Sequence, residues 1–133
     1  MSRQQEWSQG EQRAWFEPPD ILWARFRGPI TMETSQWSCA VYREVGTEQR
    51  FYLAADITGS QLSPESRRYL VENAKAEWFR GLVYIGAGLD QKATTKSLMV
   101  GSMLSGGKPL DLVYVDTLEQ ARAWIEQHRA AHG

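Results

Sequence analysis

The chain has 133 residues, 42% of them hydrophobic and 23% charged, and a formal net charge of −1. Such a length makes about one domain and such a composition an ordinary globule, while the scattered Lys and Arg exclude the clustered positive field that a nucleic-acid binder needs. Cys39 is the only cysteine, so neither an internal disulfide nor a cysteine-built metal site is available.

The stretch Met1 to Gly10 lacks periodicity and reads as a flexible lead, with the domain running over 11–133. It has no apolar signal-peptide core, and the longest near-apolar run, Gly81 to Leu89, falls far short of the ~20 residues that cross a bilayer. A cytoplasmic chain without a membrane span is the expectation. Glu11 to Glu17 and Ile21 to Arg27 flank the turn signal Pro18-Pro19-Asp20, which predicts a hairpin. Leu22, Ala24 and Phe26 alternate with Trp23, Arg25 and Arg27, the pattern of a strand with one covered face. Gly28-Pro29 ends it, and Thr31 caps a helix to about Val45 with Trp37, Val41, Glu44 and Val45 along one stripe and Ala40 beside them.

Phe51 to Ile57 predicts a strand and Ser63 to about Ala76 a helix with Leu70, Val71 and Ala74 inward. Gly81 to Ile85 is an apolar run of the buried parallel type. Asp90 to Leu104 predicts a third helix, Gly106-Gly107-Lys108-Pro109 breaks it, and Asp111 to Val115 is a further strand. The last helix opens on a capping box, Asp116 with Glu119 or Thr117 with Gln120, and turns Leu118, Ala121, Ile125 and His128 to the core, with Trp124 alongside. The order β-β-α-β-α-β-α-β-α predicts a single α/β domain with a mixed, mostly parallel five-stranded sheet and four helices.

The richest stretch is Asp56-Ile57-Thr58-Gly59-Ser60-Gln61-Leu62-Ser63-Pro64-Glu65, a strand end, a polar loop and a helix start. Ser63 caps that helix, Pro64 suits its first turn, and loops at carboxyl ends of parallel strands are where sites are built. Asp56 either orients a partner or ligand or accepts backbone N–H bonds within its own turn. Thr58 and Ser60 are candidate phosphate acceptors near a helix amino terminus, where negative charge is stabilised. Gly86-Ala87-Gly88 follows a strand, but the third glycine of a dinucleotide fingerprint would fall at Gln91. A tight turn with positive φ, leading to Asp90, is the plainer account. The flexible side chains of Met99 and Met103 belong either to a core or to an adaptable ligand pocket. Six tryptophans serve packing first, and any that are exposed leave room for a homodimer.

Catalysis has little support. His128 and His132 have no Ser or Cys at a recognised spacing, Cys39 has no visible activating partner, and neither a metal site nor a cofactor is expected.

The element order, Arg50 to Gly59, Arg80-Gly81-Leu82-Val83-Tyr84-Ile85-Gly86, and the segment from Val115-Asp116-Thr117 to Ala123-Trp124-Ile125 together resemble the STAS superfamily, the domain of bacterial anti-sigma factor antagonists. The closer resemblance is to that superfamily's stand-alone branch, also likened to lipid-transfer (CRAL-TRIO) domains, and it covers roughly Trp15 to Arg129. It implies a STAS-like fold and a non-enzymatic regulatory module acting by protein–protein contact through the loop 56–63. In the antagonists a phosphoserine directly follows the loop aspartate. Here Asp56-Ile57-Thr58-Gly59 keeps the frame, but Ile57 cannot be phosphorylated, leaving Thr58, Ser60 and Ser63 as the available hydroxyls. The contact surface would include Gly86, Gly88 and Asp90. The lipid-transfer likeness implies the alternative, a carrier of a small apolar ligand with Met99 and Met103 on its pocket wall.

Overall fold

Three strands at the front of the chain pair antiparallel, and every strand joined to the sheet after them is parallel. The computed structural model describes residues 6–104 and 110–132, the side chains of 98–104 excepted. β1 (Glu6–Gln9), β2 (Gln12–Glu17) and β3 (Ile21–Arg25) form a meander. Beyond it come β4 (Gly28–Ile30), α1 (Met32–Gly46), β5 (Phe51–Asp56), β6 (Ser60–Leu62), α2 (Pro64–Asn73), β7 (Phe79–Ile85), α3 (Leu89–Leu104), β8 (Leu112–Val115) and α4 (Leu118–His132). The main sheet has six strands in the order β1-β2-β3-β5-β7-β8, and β4 pairs with β6 in a separate parallel ribbon.

That order dictates the layers. From β3 to β8 each crossover places its strand one step further in the same direction, so right-handed connections put α1, α2 and α3 on one face. They pack side by side there, α1 on α2 and α2 on α3. The chain then leaves β8 and lays α4 across the opposite face, where Ala121 and Ile125 meet Tyr52, Ala54 and Val83. β5 is consequently buried on both sides. Phe51, Leu53 and Ala55 face α1–α3, and Tyr52 and Ala54 face α4. β3 divides the same way, so both of its faces are covered, not one: Leu22 and Ala24 point to one cluster, Ile21 and Trp23 to the other.

The helix starts follow their capping chemistry. Thr31 Oγ1 accepts from Thr34 N, Ser63 Oγ accepts from Ser66 N, and Thr117 with Gln120 forms the reciprocal box at α4. Asp20, buried in the β2–β3 turn, holds Arg80 of β7 at 2.8 Å and also binds Arg129 of α4. One carboxylate thereby ties the turn to both the sheet and the last helix.

Several expectations need correction. Glu6–Gln9 is a strand, not part of a loose lead, and it brings the sheet from five strands to six. It offers one apolar residue, the buried Trp7, too little for a period to register. β4 and β6 are further strands without a sequence signal, being three residues each and built from turn-prone types. The buried face of α1 is rotated: Ser35, Ser38, Cys39 and Tyr42 point inward with Val41 and Val45, while Ala40 and Glu44 are exposed. Small hydroxyl residues let the helix approach the sheet closely, and a reading based on hydrophobicity passes over them. α2 stops at Asn73, short of Ala76, and a 3-10 turn at Ala76–Trp78 follows. Leu118 is 49% exposed, because α4 reaches the sheet one turn later, at Ala121. Of the tryptophans Trp15 alone is exposed, and it stacks on Trp23. Gly106 to Pro109 lie outside the described residues.

Gly46, in the last turn of α1, touches Trp78: a β-carbon there would lie 2.6 Å from Cγ of the indole. Alanine ordinarily stabilises a helix by ~1 kcal/mol over glycine. In Gly46→Ala the overpacking of a buried ring outweighs that gain, and a net loss of about 1–3 kcal/mol is expected, read as a lower urea midpoint.

Candidate functional site

The carboxyl ends of β3, β5, β7 and β8 lie along one edge of the sheet, where β5 and β7 hand over to the loops at 57–59 and 86–88. Asp56 closes β5. Its Oδ1 accepts from the backbone N–H of Thr58 (3.1 Å) and from Thr58 Oγ1 (2.8 Å), forming an Asx turn. Arg27 reaches the same carboxylate from the end of β3, Nη2 to Oδ2 at 3.0 Å and Nη1 to Oδ1 at 3.3 Å. Arg27 is itself held by the buried Gln12, which accepts from its N–H and donates to its carbonyl. Partial burial works to raise the Asp56 pKa, but the Arg27 and Thr58 hydrogen bonds outweigh it and leave the carboxyl below its ordinary value. Asp56 thus binds both its own loop and Arg27.

Two glycines make that shape possible. Gly59 and Gly86 have φ of +70° and +74°, and a β-carbon on Gly86 would stand 2.1 Å from Thr58 Oγ1. The two loops are then latched by Gln91, whose side-chain N–H donates to the carbonyls of Ile57 and Ser60 while its Oε1 accepts from Gly88 N. Ile57, at the position of the resemblance's phosphoserine, is turned inward and buried. Ser60 is buried too, its hydroxyl donating to the Ile57 carbonyl. Thr58 and Ser63 are exposed, with Thr58 Oγ1 spent on Asp56 and Ser63 Oγ on its cap.

Behind this loop lies a cavity of about 670 Å³ between the sheet, α1, α2 and α3. Its walls are mainly apolar: Phe26, Ile30, Ala55, Ile57, Leu62 and Leu70. α2 covers the sheet lightly beside it, with Tyr69, Leu70 and Ala74 only partly buried against the core. The only buried side chain of α2 is Ser66, whose hydroxyl donates to the Ile30 carbonyl, and Leu82 and Tyr84 beneath are only partly covered. Ser38, Thr94, Thr95, Tyr42 and Tyr84 bring hydroxyls to the lining. Burial drives both tyrosines far above the ordinary phenol pKa, so they stay neutral. The exposed Gly88, Leu89 and Asp90 form the rim.

Of the residues singled out in the sequence, Gly59, Ser60, Gly88 and Asp90 line this cavity, while Asp56, Thr58 and Gly86 support the loop beside it. The side chains of Met99 and Met103 lie outside the described residues. Arg27, Gln91, Tyr42 and Tyr84 were not anticipated. In the sequence Gln91 stands out only as a departure from glycine, and the alternation over 22–27 places Arg27 on an outward face. His128 lies on the other side of the sheet, bonded to Tyr52 and Asp111.

No protein-family model matches the chain, and no curated protein shows a recognisable similarity to it.

Because the Asp56 pKa is depressed on folding, its contribution is fully present above the unfolded value and lost as pH falls through the folded one. Asp56→Asn is expected to cost about 1–2 kcal/mol at neutral pH. In urea titrations the deficit relative to wild type should shrink as pH drops below the ordinary aspartate range; a pH-independent gap would mean the charge plays no part.

Proposed function

We propose that the protein is a non-enzymatic binding module of STAS-like type whose cavity holds one small, uncharged, largely apolar ligand. The observation that carries this reading is the void of about 670 Å³ beside α3. Cavities of roughly 300–1,000 Å³ take drug-sized molecules, and this one opens to solvent at its rim, which gives a ligand a way in. Charge narrows the class. Among the described lining residues Asp90 is the one ionised group and there is no Lys or Arg, so a carboxylate or phosphate head would meet no cation among them. A ligand with an apolar body and one or two hydroxyl or carbonyl groups suits the walls. Tyr84 is the natural partner for such a group, since its hydroxyl bonds to no other described residue. A bound sterol-like, terpenoid or long-chain alcohol skeleton has this chemistry.

The regulatory reading is supported by a different observation. The loop 56–63 is locked by Asp56 and Gln91, yet it leaves Thr58, Gly59 and Ser63 exposed, which makes a preorganised contact surface at the cavity mouth. Ligand in the cavity and partner on the loop would then report on each other through Ile57 and Ser60.

Intact masses under native and denaturing conditions test the reading on protein from its own host. A non-covalent adduct that disappears on denaturation is expected. Leu70→Trp, which fills the void, should remove it and weaken capture of an environment-sensitive apolar dye by about ten-fold or more while leaving the fold intact. A bare native mass with dye binding equal in both proteins overturns the ligand reading. A covalent phosphate on Thr58, Ser60 or Ser63 would move the weight to partner regulation.

A further inference from the structure

The α4 face of the sheet holds a second constellation, remote from the cavity. His128 and His132 are one turn apart on α4, so their rings share a side of the helix and stack with centroids 4.1 Å apart. Asp111, just before β8, reaches them from the sheet: its Oδ2 lies 2.6 Å from His128 Nε2. One donor atom from each of the three lies within 4.8 Å of the others. From this geometry we infer that Asp111, His128 and His132 form a binding site for a divalent transition-metal ion of the Zn2+ class.

The donor set decides the class of ion. Two imidazoles and one carboxylate suit Zn2+, Ni2+, Co2+ or Cu2+, whereas Ca2+ and Mg2+ demand oxygen ligands. Bond lengths of about 2.0–2.2 Å place tetrahedral donors ~3.4 Å apart, so closure needs a movement of about 1 Å. That movement falls on Asp111 and His132, both exposed, and leaves the core alone. Three protein ligands keep a fourth position for water.

His128 is preset for the task. Its ring lies edge-on to the fully buried Tyr52, 5.4 Å between centroids, and 4.8 Å from Trp124. Its Nδ1 is 2.8 Å from Tyr52 Oη. Without metal, the tautomer with the proton on Nε2 donates to Asp111 and accepts from Tyr52. With metal, the proton sits on Nδ1 and is donated to the Tyr52 oxygen, which frees the Nε2 lone pair and the Asp111 carboxylate for the ion. Both states leave every nitrogen of the ring engaged. The arginines in this layer are committed elsewhere, Arg80 and Arg129 to Asp20 and Arg122 to Glu17. A bound ion would pin the end of α4 to the segment that leads into β8.

Calorimetric titration of tag-free protein with Zn2+, Ni2+ and Ca2+ tests the site. About one equivalent of Zn2+ per chain should bind, Ni2+ more weakly or comparably, and Ca2+ not at all. His132→Ala and Asp111→Asn alter exposed side chains and should keep the fold by circular dichroism. Each should weaken Zn2+ binding by about ten-fold or more. Zn2+ should also raise the melting temperature of the wild type and leave His132→Ala unmoved. No Zn2+ binding by the wild type, or equal binding in the wild type and both variants, overturns the assignment.

Discussion

β5 runs through the middle of the sheet with apolar packing on both faces, and that double burial constrains everything around it. Phe51, Leu53 and Ala55 must be covered from one side, Tyr52 and Ala54 from the other. Right-handed crossovers spend three helices on the first side and leave α4 for the second. The two layers therefore solve the same problem with different means. The α4 layer is a single helix, and it extends its reach with polar and aromatic contacts. Asp20 gathers Arg80 and Arg129, Glu17 pairs with Arg122 at 2.6 Å, and the Arg122 guanidinium lies over Trp23 at 5.3 Å.

The three-helix layer has the opposite character. α1 buries the small Ser35, Ser38 and Cys39 together with Val41, Tyr42 and Val45, while Ser66 is the one fully buried residue of α2. The cavity lies between these helices, α3 and the sheet. Its mouth is formed by the same loop that Asp56, Arg27 and Gln91 hold in place, so the rigidity of the loop and the openness behind it are two results of one local design.

Sequence carried the helix starts and the central strands well, because these depend on local chemistry. Thr31, Ser63 and Thr117 cap where their hydroxyls can reach the backbone, and the runs at 51–57 and 81–85 are too apolar to lie anywhere but inside. Strand β1 was not legible, since Trp7 contributes its one apolar contact and its pairing partner alone makes it a strand. The site was legible in its loop and not in its void. Asp56, Gly59 and Gly86 announce a turn through their own stereochemistry, whereas an unfilled volume is a property of how distant elements pack together. The convergence of Asp111 with His128 belongs to the same category: seventeen positions separate them, and only the adjacency of β8 and α4 brings them together.

Cys39 lies on the closely seated face of α1 with no solvent exposure, and burial raises its thiol pKa. As the sole thiol in the chain it works as a built-in clock. A thiol reagent can reach it only when α1 lifts from the sheet, so the labelling rate reports how often that layer opens. The same helix supplies Ser38 and Tyr42 to the cavity wall, and anything that settles inside would slow the clock.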